Sequence, residues 1–151
     1  MKILFATDGA KQSDAAIEML KRFAFDEGDE IKIVSVVDMA VPMAIDIYGG
    51  YLPDTGELEK TARENAGKVL ERTEQQIKAQ FEGKNLVISS EVLFGSPESR
   101  IVETAEAIHP DIIVLGSHGY SRWERLLLGS VSDSVVHHAP CSVLIVRTPA
   151  E

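Results

Sequence analysis

One cysteine, Cys141, stands in a chain of 151 residues. That excludes an internal disulfide and suits a reducing compartment. Long apolar runs are also missing. The opening "MKILFATDG" has a run of only four apolar residues, Ile3 to Ala6, before Thr7 and Asp8, too few for a signal-peptide core, and no run approaches the ~18 residues of a membrane span. Basic residues are scarce: 15 Lys+Arg face 24 Asp+Glu, for a formal charge of −9. General binding to nucleic acid or anionic membrane depends on neutralising phosphates, so neither is expected as a partner. One local anion site remains compatible with that charge.

Several catalytic signatures are absent as well. There is no G-x4-G-K-[ST] phosphate loop, no serine- and glycine-rich pyrophosphatase loop after the first strand, and no G-x-S-x-G nucleophile elbow. His137 and His138 are adjacent, so on a helix they diverge by about 100° and cannot chelate one metal together. Near a helix C-terminus they favour the dipole instead. Cys141 has no obvious base beside it and reads as a buried structural thiol. No residue is a clear general base for hydrolysis.

What is present is an alternation of strand and helix patterns within a length that fits one domain, residues 1–151. Residues 2–7, 31–37, 86–92, 111–115 and 142–147 read as five strands. Between the first two, Ser13 is a plausible N-cap for a helix with Ala16, Ile17, Leu20, Phe23 and Ala24 inward. Leu58, Ala62, Ala66, Val69, Thr73, Ile77 and Phe81 step by three and four along a long amphipathic helix. Pro97 opens a further helix with Ile101, Val102, Ala105 and Ile108 inward, and Pro110 stops it. The pattern implies an α/β fold: an open five-stranded parallel sheet with helices on both faces. Residues 38–57 are irregular, with two prolines and three glycines, and read as a lid, a binding loop, an oligomer contact or a plain surface excursion.

In such sheets ligands sit beyond the carboxyl ends of the strands, where strand order reverses. Two segments there have suitable chemistry. Thr7 and Asp8 follow the first strand, and the stretch "GSHGYSRWERLLLGSVS" follows the fourth. Its Gly116, Gly119 and Gly129 allow backbone N–H groups close to a phosphate chain, and some positive φ angles. Gly129, Ser130 and Val131 open the last helix, whose free N–H groups favour an anion, with Ser130 and Ser132 as extra hydroxyl donors. Ser130 also reads as a helix cap, with Asp133 completing a capping box, and three glycines occur in plain turns too.

The same stretch, with "KILFATDGA" and "VSVVD", resembles the universal stress protein family over nearly the whole chain. More narrowly it resembles the ATP-binding branch, whose G-x2-G-x9-G-[ST] motif is matched by Gly116, Gly119, Gly129 and Ser130. The resemblance implies a Rossmann-like fold of the adenine nucleotide alpha hydrolase type. Asp8 would sit by the ribose and phosphates, the backbone of Val36 would read the adenine edge, and Leu115 would border the base. Gly116, Gly119, Gly129, Ser130 and Val131 would hold the triphosphate of ATP, bridged by Mg²⁺ or Mn²⁺. Leu115 replaces a methionine common at that position, and His118 a basic residue, reading either as a donor to phosphate or as a packed or solvated histidine; Arg122 and Arg125 read either as phosphate contacts or as solvated surface charges. The expected protein is a cytoplasmic regulatory switch with slow or no ATP hydrolysis, homodimeric through its last strand. The alternatives are an ATP-hydrolysing or adenylyl-transfer enzyme, or a stress protein that works by contact without nucleotide.

Overall fold

The computed structural model describes residues 1–38, 55–117 and 128–147. The elements run β1 (Lys2–Ala6), α1 (Lys11–Leu20), β2 (Glu30–Val37), α2 (Thr55–Gln80), β3 (Val87–Phe94), α3 (Pro97–Ile108), β4 (Ile112–Gly116), α4 (Ser130–His138) and β5 (Ser142–Val146). All five strands pair in parallel in the order β3-β2-β1-β4-β5. The chain therefore builds outward from β1 in one direction, then returns to its other side with β4. Between β1 and β4 lies the reversal that opens a crevice at the carboxyl edge.

Side chains alternate across the pleat and divide the core in two. Ile3, Phe5, Ile31 and Ile33 pack with Ala16, Leu20, Ile77 and Phe81 beneath α1 and α2. Leu4, Ala6, Val34, Ile113 and Leu115 face the opposite way, with Ile101, Ala105 and Val135 of α3 and α4. Both faces are thus covered, which is why the inner strands read as continuous apolar runs.

Three expectations about helices are corrected. α1 ends at Leu20, so Phe23 and Ala24 lie beyond it; Ala24 is exposed and Phe25 takes the core position. Ser13 is not a cap: Ala10 is the N-cap of α1 and Ser13 lies inside the helix, 5% exposed. Leu58 is not inward but 61% exposed, whereas Leu70 joins the core. The reason is length. α2 has 26 residues and spans about 39 Å, while an eight-residue strand such as β3 spans about 26 Å. The first turns of α2 overhang the carboxyl edge, where Arg63 stacks 4.4 Å from the centre of the Phe94 ring at the end of β3. Pro97 does open α3, and His109 ends it at φ 49° before Pro110.

Candidate functional site

A cavity of about 240 Å³ opens at the carboxyl edge between β1, β2 and β4. Its floor is apolar: Ala6, Val34, Val36 and Leu115 from the strands, roofed by Pro97 and Ile101 of α3. Its other side is polar, with Thr7, Asp8 and Ser13 from the β1–α1 connection and Ser132 from α4. Gly116 and Val131 complete the rim.

The β1–α1 turn is held by its own side chains. Thr7 is 7% exposed, and its Oγ1 accepts the Gly9 N–H at 3.1 Å. Asp8 Oδ1 accepts the Ala10 N–H at 3.0 Å and the Ser13 hydroxyl at 3.4 Å. Local side-chain acceptors of this kind replace the backbone partners a tight turn cannot supply.

The end of β1 also decides what β2 presents. Thr7 N–H donates to the Val34 carbonyl, and on the other side Gly95 N–H donates to the Val37 carbonyl. Backbone groups alternate direction along a strand, so those of Val36 point to the β1 side. Their register lies past Ala6, the last residue of β1, which pairs with Val34. Val36 thus turns a donor and an acceptor toward the cavity mouth.

α4 starts at the same edge. Gly129 is its N-cap, with φ −62° and ψ 156° and no side-chain capping bond. The first intrahelical bond runs from the Asp133 N–H to the Gly129 carbonyl, 2.9 Å. The capping-box reading of Ser130 and Asp133 is therefore corrected: Ser130 is the first helical residue, exposed. Asp133 is also exposed and faces His137 at 3.8 Å, so it turns away from the helix start. Amide groups of the first turn have no intrahelical partner and carry the positive end of the dipole. Gly116 ends a strand and Gly129 has an ordinary extended backbone. Neither needs glycine for a positive φ.

Of the expected site residues, Thr7, Asp8, Val36, Leu115, Gly116, Val131 and Ser132 meet around this one cavity. Gly129 and Ser130 do not line it but directly precede Val131. Gly119, His118, Arg122, Arg125 and positions 39–54 of the irregular stretch lie outside the described residues. Sequence reasoning missed Ser13, Pro97 and Ile101 as walls of the cavity. Pro97 carried a signal, since any helix following a strand of a parallel sheet begins at the carboxyl edge.

Elsewhere the expectations for titratable groups hold in part. His137 and His138 each place Nδ1 2.8 Å from a carbonyl one turn back. The Cys141 thiol is half-buried rather than buried, and desolvation pushes its pKa up. Among the described residues no cluster of His, Cys, Asp and Glu has metal-binding geometry, and no helix is long and apolar enough to cross a membrane.

The model of the universal stress protein family matches residues 1–147. The chain belongs to this family. Universal stress protein MJ0577 of Methanocaldococcus jannaschii is 29% identical over 152 residues, 97% of this chain and 94% of that protein. MJ0531 of the same organism is 32% identical over 148 residues, 98% of this chain and 82% of its own. The solved structure of MJ0577 superposes with a TM-score of 0.80 at 25% identity, covering 99% of this chain and 97% of that one. This universal stress protein shares the same fold with two more distant relatives. One was solved in complex with cAMP (TM-score 0.65, 22% identity, 99% and 98% covered), and one from Arabidopsis thaliana with AMP bound (0.70, 18%, 99% and 93%).

Proposed function

We propose that this universal stress protein binds an adenine nucleotide, ATP with a bridging Mg²⁺ or Mn²⁺, at the carboxyl-edge cavity and acts as a nucleotide-dependent regulatory protein. The observation that carries this reading is the meeting of three chemistries at one place. An apolar slot between β2 and α3 fits a base, with the backbone of Val36 at its mouth to read the base edge. Asp8 repels phosphate and accepts from hydroxyls, so the ribose belongs beside it. The start of α4 offers N–H groups at Gly129, Ser130 and Val131 for the phosphates. Gly116, with no β-carbon, allows that chain to approach. The cavity bounded by the described residues, about 240 Å³, is smaller than the ~300–1,000 Å³ of whole ligand sites. That suits base and sugar inside, with phosphates outward over α4. The relatives holding cAMP and AMP support the adenine class.

Hydrolysis should be slow or absent, because among the described residues none that lines the cavity is placed as a general base beside a phosphate subsite. Occupancy then acts by changing shape or partner preference, within a single cytoplasmic domain over residues 1–151. β5 lies at the edge of the sheet with Val143, Leu144 and Ile145 half-buried. A bare apolar edge strand is an aggregation hazard, and pairing with its twin in a homodimer removes it.

The test is to denature freshly purified protein and identify released nucleotide by liquid chromatography and mass spectrometry. Stoichiometric ATP is expected. ADP alone would shift the reading to an enzyme. No nucleotide, together with no thermal shift on adding Mg-ATP, would leave a protein that works by contact.

A further inference from the structure

The position of Ser13 goes beyond that reading while resting on it. Its side chain sits in the first turn of α1 but points inward, 5% exposed, at the polar side of the cavity. A serine there contributes nothing as a cap, since Ala10 occupies that position, and serine is a weaker helix former than alanine. Its hydroxyl instead meets Asp8 Oδ1 at 3.4 Å, the same oxygen that takes the Ala10 N–H at 3.0 Å. Two donors converging from one helix start on one oxygen constrain the orientation of that carboxylate about its terminal torsion.

From this geometry we infer that Ser13 is a positioning residue. It orients the Asp8 carboxylate toward the ribose and thereby helps the site prefer ribonucleotides to nucleotides that lack ribose hydroxyls. An acceptor already held in its bound orientation loses less freedom when the ligand arrives. A hydroxyl deep in the wall can do this without touching the ligand itself.

Isothermal titration of ATP and of 2′,3′-dideoxyATP, each with Mg²⁺, into wild type, Ser13→Ala, Asp8→Ala and the double variant tests the idea. Ser13→Ala should weaken ATP by roughly threefold to tenfold, as the loss of one indirect hydrogen bond to a charged group. It should scarcely change dideoxyATP, and it should cost nothing further in the Asp8→Ala background. Ser13→Thr, which keeps the hydroxyl, should recover most of the loss. Alanine is favourable in a helix, so the melting temperature of Ser13→Ala should stay close to wild type, whereas Asp8→Ala also removes the acceptor of the Ala10 N–H and should melt lower. Equal losses for both nucleotides, or a Ser13 effect that persists in full without Asp8, would overturn the role of Ser13 and leave the nucleotide site standing. If wild type binds neither nucleotide, or Asp8→Ala leaves ATP affinity unchanged, the placement of the ribose fails and this inference fails with it.

Discussion

A β-carbon on Gly9 would lie 2.7 Å from Cγ2 of Val69, closer than real side chains approach. The two residues join the turn that carries Asp8 to the middle of α2. Gly9 also has φ +77°, a conformation that costs an L residue strain. Both constraints fall on one position, so the turn after β1 can sit flat against α2 only with glycine there. The same side of α1 is tied to α2 by Arg72 to Asp14 (3.5 Å) and by Gln80 to the Ile17 carbonyl (2.8 Å).

Gly9→Ala should therefore destabilise the fold by about 1–3 kcal/mol, from overpacking plus the backbone conformation. Val69→Ala in the same chain should return the steric part and leave roughly 1 kcal/mol of backbone cost. Chemical denaturation of the two single variants and the double variant measures this directly. Additive losses would show that the contact with Val69 is not the source.

Gly129 makes a contrasting case. Its φ of −62° and ψ of 156° suit any residue, so Gly129→Val should fold with only a modest loss of helix capping. If phosphates lie over the start of α4, the same change should weaken ATP strongly by blocking their approach. Ser130→Ala should lose about 1–2 kcal/mol of binding, as one hydrogen bond to a charged group. Unchanged affinity for both variants by calorimetry would move the phosphates elsewhere.

Ile101 should decide the base slot. It is 4% exposed and forms the α3 roof of the cavity. Ile101→Phe adds volume where the base would lie, so ATP binding should fall at least tenfold, with about 1–3 kcal/mol of overpacking cost. A variant that still binds ATP normally would place the base outside the cavity.

The order of elements and the parallel sheet were legible because each strand is an apolar run bounded by turn residues, and each helix carries a stripe. Gly116 and Gly129 of the glycine motif stand at the carboxyl edge of the sheet, at the end of β4 and the start of α4. Ser13 was misread because a capping serine and an inward serine look alike at a helix start; the difference lies in whether Ala10 or Ser13 turns the chain. Leu58 was misread because the helical stripe continues after the sheet beneath it has ended. Pro97 and Ile101 went unrecognised as cavity walls because α3 belongs to a strand two places from β1, and only the strand order brings it over the crevice. That three-dimensional layout has no local signature in the sequence.

Dimerisation through β5 can be tested without a ligand. Light scattering at micromolar concentration should give twice the mass of the chain. A monomer would show that the half-buried β5 edge is tolerated alone or covered in another way.

Glu74 ties α2 to the edge strand β3 and should leave a mark on the acid side of the stability curve. One carboxylate oxygen accepts from Lys78 at 2.6 Å and the other from the Ser90 hydroxyl at 2.9 Å. These hydrogen bonds, Lys78 first, hold the pKa of Glu74 below the ordinary 4.5. A carboxylate with a depressed folded pKa adds stability that is complete above its unfolded pKa and lost as the pH falls through the folded one. Glu74→Gln should thus cost less than about 1 kcal/mol at pH 7, because the pair is partly solvated. The gap to wild type should begin to close as the pH falls below 4.5 and vanish once the folded protein also takes up the proton. Urea denaturation of both proteins at a series of pH values measures the gap, and a difference that stays constant down to strong acid would show that Glu74 contributes by packing rather than by charge.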